Sequence, residues 1–458
     1  MAVLGFHVVI CLIAITLISK LVSRASFVSF FITNGLYRVL APSNHELKAL
    51  MPQSKEKLNQ RNRRKKRDEE EAEGFNVPKS TPIQLHRAPV DVRDLVQFEL
   101  YTSLHWICLC VPICFIVYAI SETYNYISPQ NTDFNVTIIL LLVFVGFILQ
   151  ILMSLSSYLV LNVDERGFML SIGALYFLFS FIFAMSAQRV FDIQMLEAYD
   201  TLGKNIAEFV KSADILGNGS TSIADYRPDN PLFLYISLSV FFSMLSAMFL
   251  FPNFRCAIMY LKAIENEGPT YRTLSHVTFL IPAVVLALFL KPVTHQIVDG
   301  PRKFLTYSQL NILRIYLVIV WLMFKFFTRI PHLQAHLNLS YDKVMDLQKE
   351  SGKVKNYALQ SMILRYYRYI CCAAIQYFGP ALLAVFFALI LKTTGGLSWL
   401  GEPVTIDTGL NVVGPIRYVF DVVVCRAFFS FLLVVTLLIN FSLQLMGVVY
   451  HSYFVKSS

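Results

Sequence analysis

The sequence predicts an all-α polytopic transmembrane helix bundle of about nine spans. Nine stretches of 17 or more mostly apolar residues run along the 458-residue chain, each bounded by charge or by Pro-, Gly- or Asn-rich connections. Hydrophobic residues make up 56% of the chain, and mean hydropathy is +0.56. Charged residues make up only 15%, against about 25% in a soluble domain. A hydrocarbon core about 30 Å thick is crossed by roughly 20 helical residues, whereas a soluble helix keeps a polar face. The length therefore reads as one bundle with connections rather than as several soluble domains.

Taken in order, residues 1–23 hold the first span, 2–22. Met1 to His7 carry no Lys or Arg, while Lys20 and Arg24 follow the apolar run. That reverses the charge order of a signal peptide, so an uncleaved reverse anchor is expected. Residues 24–103 form a basic cytosolic loop, partly disordered. Fifteen of the 39 Lys and Arg lie between Lys20 and Arg93, including the run Arg61, Arg63, Arg64, Lys65, Lys66, Arg67. No aromatic interleaving accompanies the run, so it reads as orientation-setting and no nucleic-acid partner is expected. Within the loop, 26–40 is apolar but too short to span and is expected along the inner interface. Residues 64–71 pair base with acid at i,i+4, which supports a solvated helix. Pro78, Pro82 and Pro89 predict an extended linker.

Residues 104–187 hold spans 104–120, 136–161 and 168–187, followed by an outer acidic loop, 188–231. Residues 232–327 hold spans 232–251, 274–290 and 310–327. Arg314 and Lys325 interrupt the last of these, and both are expected to snorkel to opposite interfaces. Residues 328–370 form a cytosolic amphipathic loop, in which Leu333, Leu337, Val344 and Leu347 predict a helix extending the seventh span. His332 and His336 are i,i+4, but no Glu follows the first His, so packing is expected rather than metal. Residues 371–458 hold spans 371–391 and 422–449 and a short cytosolic tail.

Orientation follows the positive charge. With 24–103 in the cytosol and the chain alternating, cytosolic connections hold 28 Lys and Arg and outer connections nine. The N-terminus is then outside and the C-terminus inside. The sequons at Asn135 and Asn218 fall in outer loops and are candidate glycosylation sites, Asn218 being the better placed. The eight cysteines form no disulfide or zinc framework and read as small apolar residues in lipid.

Ionisable residues inside a membrane are functional candidates. Lys291, Arg314, Lys392 and Arg426 fall at the outer ends of consecutive spans. Two readings stand: snorkelling, with Asp299, Asp407 or Asp421 as partners, or a basic outer vestibule that attracts anions or repels cations. Spans six and eight each carry an early proline, Pro282 and Pro380, and each proline predicts a kink. Two polar stripes lie at helical spacing: Gln150, Ser154 and Ser157 on span three, and Thr436, Asn440 and Gln444 on span nine. Both are expected to face protein or water. There is no P-loop, metal-ligand set, nucleophile elbow or intramembrane carboxylate pair, so neither an enzyme nor a cofactor is expected.

Several of these residues resemble, in order and spacing, the transmembrane protein 161 family. They include Asn34-Gly35 with Arg38, Phe251-Pro252 with Arg255, and His276 with Phe279, Pro282, Lys291, Pro292 and Thr294. Arg314, His332-Leu333-Gln334-Ala335, Gln376-Tyr377 with Pro380 and Lys392, Arg426, and Tyr450-His451 continue the match along nearly the whole chain. The outer loop around Asn218 and a shorter connection before span nine depart from it. The resemblance implies a multipass membrane protein with no established catalytic activity, and the expected location is the plasma membrane or the secretory endomembranes. It also implies effects on potassium and calcium currents, with ion channel subunits as partners beside the lipid bilayer, and a link to oxidative-stress resistance. A transporter or channel, and a structural membrane protein of the secretory pathway, are the alternatives.

Overall fold

Hydrocarbon offers the backbone no water to bond, so spanning segments close their hydrogen bonds internally as helices. The computed structural model describes residues 5–22, 26–50, 74–128, 135–160, 163–216, 231–301, 303–402 and 419–455. In order these form α1 (Phe6–Leu21), a π-helical turn (Ser29–Thr33), β1 (Tyr37–Val39), α2 (Asn44–Leu50), β2 (Asn76–Pro78), β3 (Arg87–Pro89) and α3 (Val92–Leu95). Then come α4 (Tyr101–Ile127), α5 (Thr137–Leu159), α6 (Val163–Val190), α7 (Met195–Leu216), α8 (Leu232–Asn266), α9 (Pro269–Leu288) and α10 (Lys291–Val298). The chain continues with α11 (Tyr307–Phe327), α12 (Arg329–Lys349), β4 (Lys353–Lys355), α13 (Asn356–Arg368), α14 (Ile370–Thr394), α15 (Val422–Val449) and a π-helical end (Tyr450–Val455). The basic run 61–67, the charged pairs of 64–71, Asn218 and Asp407 lie outside the described residues.

Among the described residues, eight helices are long and apolar enough to cross a membrane. The apolar helix α1 has 16 residues, about 24 Å at 1.5 Å per residue. It runs antiparallel along α4. His7 near its start lies 2.8 Å from Ser121 and 3.1 Å from Asn125, and beyond its end the Val22 carbonyl meets His105 at 3.1 Å. The protein is an all-α, multi-pass membrane bundle.

At its centre is α14. Of its 25 residues only Phe378 and Thr393 are less than fully buried. Small residues let neighbours approach the core closely. A Cβ at Gly379 would sit 2.9 Å from Leu152, and one at Gly447 would sit 2.9 Å from the Ala257 Cβ and 3.2 Å from the Phe254 Cα. The eight cysteines are buried and unbridged.

Helix interiors hold Pro112, Pro252, Pro282 and Pro380. Each proline removes the N–H that the carbonyl four residues earlier would accept. Two of the freed carbonyls are taken by side chains from other helices. The Trp321 indole donates to Thr278 O at 3.0 Å and the Cys256 thiol to Gln376 O at 3.6 Å, while Ser156, whose hydroxyl donates to its own Leu152 O at 2.9 Å, lies 3.5 Å from Met248 O. Helix α11 is thus keyed to α9 through the carbonyl that Pro282 exposes.

One end of the bundle, inner by the charge rule, carries a small cap built from 24–103 and 328–370 together. Strand β1 pairs antiparallel with β3, and β2 with β4, in register Val77 to Val354. Leu47, Phe75, Val77, Val344, Leu359 and Ile363 form its core. Pro78 and Pro89 end their strands, as extended backbone permits. Gln334 supports the cap from α12, donating to Tyr37 O at 3.0 Å and accepting from Tyr37 N at 2.9 Å. Helix α12 follows α11 after Thr328 alone, so the amphipathic helix does extend the seventh span.

Candidate functional site at the outer end of the bundle

Helix α9 stops at Leu288 because Leu290 is extended (ψ 129°) and Pro292 then opens α10. A helix end leaves its last carbonyls without donors. Here the Arg314 side chain reaches across from α11 and donates to Leu288 O through Nε (3.1 Å) and Nη2 (2.7 Å). The same guanidinium donates to Asp192 Oδ2 at 3.1 Å through both Nη atoms, to Asn311 Oδ1 at 2.6 Å, and to Thr294 Oγ1 at 2.9 Å. It lies 4.3 Å from the centroid of the Phe289 ring. Asp192 is fixed in turn: its backbone N–H donates to Phe289 O at 2.8 Å, and Tyr307 donates to its Oδ1 at 3.1 Å. Side-chain exposure is 2% for Arg314 and 14% for Asp192. The buried charge is therefore paired, and every guanidinium edge has a partner.

Lys392 ends α14 and forms an ion pair with Glu122 of α4. The Trp399 indole donates to the same Glu122 oxygen at 2.9 Å, and its ring sits 4.9 Å from the Lys392 ammonium. Arg426 donates through Nε (3.0 Å) and Nη2 (2.6 Å) to Gly395 O, closing the end of α14. Lys291 is half-buried at the start of α10 and makes no ion pair or hydrogen bond among the described residues.

Of the four basic residues, Arg314 and Arg426 line one outer cavity of about 60 Å³, together with Asp192, Asn311, Tyr307 and Ser430. Lys291 and Lys392 do not line it. Among the described residues the acids that pair with the cluster are Asp192 and Glu122, rather than Asp299 or Asp421. Asp299 instead meets His295 at 2.9 Å, and Asp421 caps Val422 N at 2.6 Å. Glu122 and Asp192 escaped sequence reasoning because both lie just past the apolar runs, which end near 120 and 187. The signal was present for Glu122: nothing in 121–127 breaks a helix, so α4 continues through Ile127.

Three expectations about polar residues are corrected. Gln150, Ser154 and Ser157 face out of the bundle, while Leu141, Phe144, Ile148, Leu152 and Leu155 of the same helix face in. A serine on the outer face is tolerated because its hydroxyl bonds its own helix, as Ser157 does to Met153 O at 3.0 Å. Neither Arg314 nor Lys325 snorkels. Lys325 is 4% exposed and donates to Tyr377 O at 2.8 Å, between the rings of Trp321 and Tyr377. The second stripe does face inward, since Thr436, Asn440 and Gln444 are all buried.

Pro282 and Pro380 lie inside continuous helices, as described above. His332 and His336 are buried on α12, with His332 against the Thr328 carbonyl (2.7 Å) and His336 against the Tyr366 carbonyl (3.1 Å). Asn135 accepts from Thr137 N at 3.1 Å, and the Thr137 hydroxyl of its sequon is buried against Ser121 at 2.9 Å.

A family model described as predicted transmembrane protein 161AB matches residues 2–408 and 404–455. The chain belongs to the transmembrane protein 161 family. No solved structure matches it. Some of the residues that carry the family likeness gather at the two ends of the bundle. Arg314, Thr294, Lys392 and Arg426 build the outer hub. At the inner end Arg38 pairs with Asp94 at 2.9 Å and lies 4.6 Å from the Tyr367 ring centroid, beside Gln334 on Tyr37.

Proposed function

We propose that this protein is a non-enzymatic modulator of ion currents and membrane excitability, acting within the bilayer of the plasma membrane or secretory endomembranes through contact with ion channel subunits. The observation that carries the reading is α14, which fills the axis of the bundle where a conduction path would run. The outer charges support it as well: Arg314 is neutralised by Asp192 and Lys392 by Glu122. A packed bundle with internally paired charges suits a protein that shifts the behaviour of a neighbour. Catalysis and a resident cofactor form no part of this reading. The oxidative-stress resistance that the family resemblance implies belongs to the same proposal.

The test is whole-cell recording of potassium and calcium currents in excitable cells depleted of the protein, then resupplied with it. Current density or gating should change on depletion and return on resupply. Identical currents in all three conditions would overturn the reading.

A transporter or channel is the second reading, and one observation favours it. Among the described residues, Thr436 Oγ1, both side-chain polar atoms of Asn440, and Gln376 Oε1 are buried without hydrogen-bond partners inside the bundle. Such groups are costly in hydrocarbon.

A further inference from the structure

We propose that the cavity beside Lys325 binds a small monovalent inorganic anion of the halide class. Lys325 stands in the last turn of α11, 4% exposed. An ammonium carries three donors, and here one is used, on Tyr377 O at 2.8 Å. Among the described residues it makes no ion pair. The other two buried bases differ on this point, since Arg314 has Asp192 and Lys392 has Glu122.

What surrounds the ammonium is suited to an anion. The cavity is about 10 Å³ and is lined by Lys325, Ser275, Gln444, Thr278, Tyr260 and His332, among others. Ser275 and Gln444 are 2% and 8% exposed, and neither side chain makes a hydrogen bond among the described residues. A hydroxyl and an amide, each with an unused donor, thus share a small buried space with an incompletely bonded cation. No carboxylate lines that space. A charge in such a setting is stabilised by a counter-charge or by dense hydrogen bonding. The size of the cavity selects among anions: there is room for about one water-sized occupant, which excludes phosphate, sulfate and lipid headgroups. Trp321, 5.1 Å from the ammonium, supplies a built-in fluorescent reporter. The inference rests on this cavity alone and stands or falls separately from the current-modulating reading.

The experiment uses the purified full chain in detergent, with sodium chloride exchanged for sodium gluconate at constant ionic strength. The thermal unfolding midpoint should rise saturably with chloride, bromide should substitute at higher concentration, and iodide, close to sulfate in size, should not. Bromide should also quench Trp321 emission saturably, a component lost in Trp321→Phe. Lys325→Met should remove the halide-dependent rise. Should that variant fail to fold, Ser275→Ala and Gln444→Leu keep the charge and should each raise the half-saturating chloride concentration several-fold. Equal midpoints in chloride and gluconate would overturn the proposal. So would a halide response left unchanged in Lys325→Met or, where only the other two variants fold, in both of them.

Discussion

Arg314 and Asp192, 122 positions apart in sequence, meet at 3.1 Å where α9 breaks at the outer end of the bundle. The acid neutralises the base, and the base in turn satisfies the carbonyl that the helix break leaves open. This arrangement turns an interruption in a span into a rigid corner.

Removing one partner of a buried pair strands the other, at a cost of about 3–5 kcal/mol. Asp192→Asn and Arg314→Met should each lower the thermal unfolding midpoint in detergent. Arg314→Met should be the worse, because it also uncovers Leu288 O and Thr294. The double variant should lose less than the sum of the two. Strictly additive losses would show that the two side chains act independently.

The same logic separates Lys392 from Lys291. Glu122→Gln and Lys392→Gln should both destabilise, and the exchange Glu122→Lys with Lys392→Glu should recover part of the loss. Lys291→Gln should change stability by less than about 0.5 kcal/mol, as surface substitutions do. Its effect should add to that of Lys392→Gln, because the two do not share a cavity. A non-additive Lys291 and Lys392 pair, measured by the same unfolding assay, would restore a common basic vestibule.

Trp321 and Pro282 give a cycle with an unusual sign. Trp321→Phe leaves the buried Thr278 carbonyl without a donor, which costs about 1–3 kcal/mol. In a Pro282→Ala background the alanine N–H returns to that carbonyl, so the same Trp321→Phe change should cost less. Equal cost in both backgrounds would mean that the indole contributes packing and not the hydrogen bond.

Stability should fall as the inner side is acidified. Burial holds the His336 imidazole down to about 3, with the Arg255 charge adding to it, and holds His332 down to about 4, with Lys325 adding and the bond to Thr328 opposing. Both are therefore neutral in the fold, while the unfolded chain protonates them near the ordinary value of 6.5. Below that value the unfolded state binds protons that the fold rejects. Stability is full above pH ~6.5 and declines by up to about 1.4 kcal/mol per pH unit for each histidine. Unfolding midpoints from pH 7.5 to 5 should show this slope, and it should flatten in His332→Gln/His336→Gln. A slope unchanged by the double substitution would place the acid sensitivity elsewhere.

Apolar length is a local property, and the spans were legible because of it: 104–120, 310–327 and 422–449 fall within α4, α11 and α15. Where a helix outruns its apolar stretch, as α4 does at Glu122, or the chain bends just past one, as at Asp192, the same signal goes silent. The two polar stripes show a second limit. Thr436, Asn440 and Gln444 turned inward, whereas Gln150, Ser154 and Ser157 turned outward, and of these Ser157 satisfies its hydroxyl on its own helix. Of the inner cap, only the amphipathic helix α12 was readable. The cap's three-residue strands carry no periodicity, and Val77 finds Val354 only through the tertiary fold.

The central claim is that a bundle filled along its axis by α14, with its outer charges paired internally, modulates currents carried by other proteins. Purified full chain in liposomes tests this most directly, by recording potassium, calcium and chloride flux under an imposed voltage. The account predicts flux equal to that of protein-free liposomes. A conductance carried by the chain alone, and altered by Glu122→Gln or Arg426→Gln, would contradict it.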